Sequence, residues 1–198
     1  MIPLNFNKLG ILVRKAIIDL LSQPAYTVNF RKIIALYQSN PSSQTLYFHA
    51  GKSKVNDNFP NLGFEIEDRK DDWTATSFTK DISIRYSLYL AIKALQGPVR
   101  EGNDGPGDIS ETENYVITMA EYITEILNEP DSGLQYLITT EPDGTTPLPG
   151  GPIKIYDSRA EGIQYGFLYN GALRTAKISW FGKIMRTGQV NNPGQTGY

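Results

Sequence analysis

The stretch Phe78–Ile92, FTKDISIRYSLYLAI, sets Phe78, Ile82, Ile84, Tyr86, Leu88, Leu90 and Ile92 on every second residue, interrupted only by Lys80. Side chains alternate faces along a strand, so this register predicts one buried face while Thr79, Asp81, Ser83, Arg85 and Ser87 look the other way. A strand of that length reaches roughly 50 Å at about 3.3 Å per residue, whereas ordinary strands run about 5 to 6 residues. Such a strand outgrows the needs of an enzyme core and points to a sheet or hairpin offered to a neighbouring subunit.

Upstream, Leu62, Phe64 and Ile66 alternate with Gly63, Glu65 and Glu67, a second strand over Leu62–Glu67. The charged run Asp68-Arg69-Lys70-Asp71-Asp72 and Trp73 then read as the extended tip of an antiparallel hairpin. A short strand is expected at Gln44–His49, with a loop over Ala50–Pro60.

Two helices precede the hairpin. Leu9, Leu12, Val13, Ala16, Ile17, Leu20 and Leu21 follow the i, i+3, i+4, i+7 rule, and Pro24 stops them. A shorter helix is predicted over Thr27–Gln38, with Phe30, Ile33, Ile34 and Tyr37 on one side. Downstream, Gln96–Asp108 holds four glycines and two prolines in thirteen residues and reads as a loop. Ser110-Glu111-Thr112-Glu113 has the form of a capping box, opening a helix that buries Tyr115, Val116, Met119, Tyr122, Ile123, Ile126 and Leu127 before Pro130. Strands follow around Leu134–Thr139, Ile153–Tyr156, Ile163–Tyr169 and Leu173–Met185. Glu141–Pro152 forms a loop or hairpin tip between them, and Gly166 is a candidate bulge. Asn170-Gly171 is the pair that a tight hairpin turn wants, because both residues need φ > 0. The expected class is α+β: a mixed, mostly antiparallel sheet with a long β-hairpin, flanked by two to three helices. Residues 1–186 form one domain and 187–198, rich in Gly, Asn, Pro, Gln and Thr, a tail that orders only against a partner.

The charge balance, 19 basic against 21 acidic residues, leaves no basic cluster of the kind that neutralises a phosphate backbone, so sequence-specific nucleic-acid binding is not expected. No run of about 18 apolar residues marks a membrane span, and Met1–Asn5 lacks the regions of a signal peptide, so a cytoplasmic origin is expected. Zero cysteines remove disulfides, thiolate catalysis and Cys-ligated metal. The twelve tyrosines suit either subunit interfaces or a Tyr-rich sheet.

The sequence offers little to a search for chemistry. His49, the one histidine, has no Ser or Asp signature around it and reads as a structural or surface residue. Gly51-Lys52-Ser53 matches the end of a phosphate-binding loop, but the pattern needs a glycine five residues before the Gly-Lys pair and position 46 is Leu46. Asp104, Asp108, Glu111 and Glu113 do not fit EF-hand spacing and read as a solvated loop with a helix cap. No catalytic residue, cofactor or metal ligand is assigned. Trp73, bordered by Asp68, Arg69, Lys70, Asp71 and Asp72, is either an interface anchor or a ring folded back on its own sheet. Tyr165, Phe167 and Tyr169 share one strand face and read as core.

In element order the chain resembles the tail-terminator proteins of long-tailed bacteriophages. The resemblance spans about residues 7–185: an amphipathic helix, Phe59-Pro60 leading into a strand, a charged loop, a long alternating strand, a loop, a capped helix and a closing pair of strands. Tyr156-Asp157-Ser158-Arg159 and Gly171–Ile178 are similar in character to the end of such proteins, and no signature residue carries over. The resemblance implies a non-enzymatic virion protein of the tail or neck, present in the host cytoplasm during assembly. It implies a homo-oligomeric ring, usually a hexamer, that caps the tail tube, ends its polymerisation and docks the head–tail connector or stopper protein, with the tail sheath protein as a further candidate partner. DNA would pass through such a ring, and no membrane is involved. The competing readings are another neck component, such as a head-completion or sheath-capping protein, and a small α+β hydrolase or ligand-binding domain.

Overall fold

A computed structural model of the chain describes residues 6–37, 45–54, 56–73, 80–93, 109–129, 137–148 and 152–186. The element order is α1 (Phe6–Leu21), α2 (Pro24–Tyr37), β1 (Tyr47–Ala50), β2 (Asn61–Trp73), β3 (Lys80–Lys93), α3 (Ile109–Asn128), β4 (Leu137–Ile138), β5 (Ile153–Leu168) and β6 (Leu173–Arg186). The strands form one sheet in the order β1-β2-β3-β6-β5-β4. Only β1 and β2 are parallel, and every other neighbouring pair is antiparallel. The fold is therefore α+β with a mixed, mostly antiparallel sheet.

The long alternating strand is β3, Lys80–Lys93; Phe78 and Thr79 lie outside the described residues. Ile84, Tyr86, Leu88, Leu90 and Ile92 are buried, as the alternation requires. On β6 they lie beside Gly182, Trp180, Ile178, Ala176 and Arg174. This is the face that the helices cover. The Tyr86 hydroxyl donates to the carbonyl of Gly10 on α1, and α3 packs across β3, β5 and β6. The expected stripes of α1 and α3 are buried, with Tyr122 half-exposed. α2 packs on α3: Phe30 meets Tyr122 edge-on and Tyr37 stacks on Tyr115, each with centroids 5.0 Å apart. A hydrogen bond from Asn29 Nδ2 to the Tyr122 hydroxyl, 3.0 Å long, fixes the same contact.

Several boundaries differ from expectation for identifiable reasons. Pro24 stops α1 and also opens α2, since the first helical position needs no N–H donor and suits the fixed φ of proline. α3 opens at Ile109, so Ser110 lies inside its first turn, and Glu113 pairs with Arg174 at 3.7 Å. The charged run Asp68–Trp73 is strand, not a tip loop: it pairs with Lys80–Arg85 in unbroken register. The two strands expected at Ile153–Tyr156 and Ile163–Tyr169 are one, β5, bent by register shifts at Tyr156/Arg159 and Ala160/Gly162. Gly166 pairs regularly with Thr175 and is not a bulge.

The turns come closer to expectation. Glu141–Leu148 is a hairpin tip in which Asp143 accepts hydrogen bonds from Thr145 N, Thr146 N and Thr146 Oγ1. Those donors hold its carboxyl down at about 2, the Thr146 hydroxyl contributing most. The β5–β6 turn places Tyr169, Asn170 and Gly171 all at positive φ, so the Asn-Gly pair does what its composition suggested. The Gln96–Asp108 loop and the 187–198 tail lie outside the described residues.

Candidate functional site

The opposite face of the sheet carries the residues that alternate with the core. On β3 these are Ser83, Arg85, Ser87, Tyr89 and Ala91, and on β6 Thr175, Lys177, Ser179, Phe181 and Lys183. α1 and α3 pack on the other face, with α2 against α3. The surface that results is polar and charged over most of its length, and its organisation depends on register.

At its centre Phe181 lies between two guanidinium groups, Arg159 at 5.1 Å and Arg85 at 5.7 Å from its ring centroid. Cations over an aromatic face are held by the ring quadrupole, which fixes both arginines against the sheet. Acidic side chains link them into a chain. Lys183 contacts Asp157 at 3.0 Å, Asp157 contacts Arg159 at 3.4 Å, Arg159 contacts Glu161 at 3.3 Å, and Glu161 reaches Arg85 at 3.7 Å. The bulges of β5 make this possible. Asp157 adopts φ 46°, and the extra residues on that strand aim Asp157, Arg159 and Glu161 at one neighbourhood. The hydrogen bond from Lys183 is the main reason the Asp157 carboxyl lies below the usual range.

A second, smaller unit sits beside it. Glu67 accepts hydrogen bonds from Lys177 and from the Ser87 hydroxyl, bridging β2, β3 and β6. The Lys177 bond, then the Ser87 bond, depresses the Glu67 carboxyl, and the same contact raises the Lys177 ammonium. Toward the β1 end the loop after β1 folds onto this face. Lys52 lies over the Tyr89 ring at 5.1 Å, and the Gly51 carbonyl occupies the space where a side chain at Gly63 would be.

Of the residues singled out in the sequence, Asp68, Arg69, Lys70, Asp71, Asp72 and Trp73 make the outer half of β2. They alternate about the sheet. Asp68 and Lys70 are exposed and lie beside Arg85 and Ser83 on the polar face, whereas Arg69 is half-buried beside Ile84. The side chains of Asp71, Asp72 and Trp73 fall outside the described residues, as do Asp104, Asp108 and the side chain of Glu111. Tyr165 and Phe167, expected in the core, lie on the helix-bearing face but are 50% and 64% exposed, as is Tyr169 of the turn at 51%. The network of Arg85, Asp157, Arg159, Glu161, Phe181 and Lys183 was not singled out. The alternation Lys177, Ser179, Phe181, Lys183 was the available signal, but its partners depend on pairing across three strands.

His49 has the contacts of a structural residue. Its Nε2 meets both Ser53 Oγ at 3.3 Å and Asn61 Oδ1 at 3.2 Å, while Nδ1 lies 3.2 Å from the Ala50 carbonyl. Ser53 and Asn61 are buried, and the Ser53 hydroxyl donates to Asn61 Oδ1 at 2.5 Å, so these contacts tie the loop after β1 to β2. Among the described residues no group of three His, Asp or Glu side chains is placed to hold a metal ion, and no helix is long and apolar enough to cross a membrane.

The chain matches no protein-family model and no curated protein sequence.

Proposed function

We propose that the protein is a structural virion component of the phage neck: a ring-forming subunit that caps the tail tube, ends its polymerisation and joins the tail to the head connector. The observation that carries this reading is the one-sided sheet. Four strands of 13 to 16 residues present a helix-covered face and a continuous polar face with a fixed charge network. A wall of this kind serves a ring better than it serves catalysis, which needs convergent groups in a concave site.

In this reading the helices form the outside of the ring and the polar face turns toward the channel through which DNA passes. Asp157 and Glu161 offset two of the three positive charges of Arg85, Arg159 and Lys183, so the wall grips a phosphate backbone less than a bare basic surface would. The charged outer half of β2, Asp68–Trp73, extends along β3 away from the β1 end and is assigned to contact with the tube or connector. The mechanism is geometric: a ring complementary to the last tube ring blocks further addition on one side and recruits the connector on the other. Heterologous interfaces that close on themselves make such rings.

The test is to add the purified protein to polymerising tube subunits. Tubes that become shorter as its concentration rises support the reading; an unchanged length distribution contradicts it.

A further inference from the structure

The sheet treats its two ends differently. At the end bearing Asp68–Trp73 both flanks are guarded: β2 carries a charged run and a bulge at Ile66/Asp68, and β5 carries Asp157, Arg159 and Glu161 with two bulges. Charges and bulges are how edges are kept from pairing with other chains. Among the described residues neither flank is guarded at the opposite end. β1, Tyr-Phe-His-Ala over 47–50, and the β5 segment Ile163–Leu168, Ile-Gln-Tyr-Gly-Phe-Leu, contain no charged residue and no bulge. β4 pairs with β5 only at Ile153 and Lys154, so among the described residues no strand lies beside Ile163–Leu168. The Tyr47 and Gly51 amides donate to Pro60 and Phe64, so strand alternation turns the amides of Phe48 and Ala50 away from β2.

The two bare edges match in direction, level and face. β1 runs with β2, and the reversals at β3, β6 and β5 leave β1 antiparallel to β5. Followed across the sheet, Phe48 lies level with Leu62, Leu90, Ala176 and Tyr165, and Ala50 with Phe64, Leu88, Ile178 and Ile163. Phe48 and Tyr165 therefore share the helix-bearing face, while His49 and Gln164 share the polar face. Copies related by rotation about an axis along the strands meet without translation, so level residues on opposite edges become neighbours.

The geometry points to β1 of one copy pairing antiparallel with Ile163–Leu168 of the next, Phe48 beside Tyr165, so that the sheet runs on from subunit to subunit. The occupant of this edge is a second copy of the chain because the complementary edge is the chain's own. The two surfaces differ, so the contact is heterologous and continues around a ring. It gives the half-exposed Tyr165 an aromatic neighbour. This assignment rests on the ring reading above in needing a second copy, and adds which edges meet.

The chain has no cysteine, so engineered thiols report without background. Phe48→Cys and Tyr165→Cys chains are prepared separately, mixed at assembling concentration and oxidised. The pairing predicts a covalent dimer from the mixture, none from either variant alone, and a ladder from the double variant. Cross-linking of Tyr165→Cys chains to each other would mean that β5 pairs with β5 and would overturn the assignment. Amide exchange on the wild-type chain gives the same answer without substitution: the Phe48 and Ala50 amides, and those of the 163–168 amides that face away from β6, slow on assembly if the edges pair. Assembled particles with no 48–165 link and unchanged exchange overturn the pairing and leave the ring reading standing. A chain that stays monomeric, alone and with tube subunits, overturns both.

Discussion

Gly182 lies against the indole of Trp180, close enough that a Cβ at position 182 would stand 2.8 Å from Cζ2 of the ring. Trp180 is fully buried, and its rigid ring moves only by displacing its neighbours. Gly182→Ala is therefore an overpacking change, expected to cost about 1 to 3 kcal/mol. A thermal melt reads this as a fall of roughly 2 to 4 °C per kcal/mol for a chain of this size. An unchanged melting temperature would mean that the ring is looser than its burial implies.

Two buried tyrosines should respond in opposite ways to loss of the hydroxyl. Tyr86 donates to the Gly10 carbonyl, and Tyr115 has no hydrogen-bond partner among the described residues. Tyr86→Phe should cost about 0.5 to 1.5 kcal/mol in urea unfolding, while Tyr115→Phe should be neutral or slightly stabilising, because an unmade buried hydrogen bond is itself a penalty.

Burial pushes both of these phenols above their ordinary value of 10.0. A group with a raised folded-state pKa gives full stability below the unfolded value and loses it as pH rises above that value toward the folded one. Stability should therefore fall above about pH 10, by about 1.4 kcal/mol per pH unit for each buried tyrosine. The Tyr86→Phe/Tyr115→Phe double variant should show a shallower decline over the same range.

Glu67 titrates in the other direction. Its depressed carboxyl contributes stability above the ordinary value of 4.5, and that contribution disappears as pH falls through the folded value. Glu67→Gln should lower the melting temperature more at pH 7 than at pH 3, because protonation of the wild-type carboxyl as pH falls removes its contribution. The effect at pH 7 should be small, because the pair with Lys177 is partly exposed and screened by salt. A loss equal at both pH values would place the role of Glu67 in packing.

How much of this was legible depended on whether local pattern or pairing decided the outcome. The apolar stripes of α1 and α3 and the alternation of β3 were plain, since one periodicity sufficed for each. The outer half of β2 was not, because five consecutive charged residues, Asp68–Asp72, read as solvated loop when in fact pairing with β3 holds them extended. β5 read as two strands because its bulged residues interrupt the alternation. The Arg85–Phe181–Arg159 arrangement was beyond local reading, since residues 85, 159 and 181 meet only through three-strand register. Tyr165 and Phe167 were misread as core because their strand face was right, but nothing in a strand's own sequence says how far a helix covers it.

Reversing charge at Lys70 tests the contact assigned to the outer half of β2. Lys70 is exposed and lies beside Ser83, so Lys70→Glu should leave the unfolding free energy within about 0.5 kcal/mol of wild type. It should nevertheless weaken binding to tube ends in a pelleting assay with preformed tubes. Undiminished pelleting would remove this stretch from the interface.

Electron microscopy of preformed tail tubes mixed with the protein tests the central claim most directly. The ring reading predicts a closed ring of copies seated on one end of each tube, with the opposite end and the sides bare. Tubes whose ends stay empty, or protein scattered along their length, would contradict it.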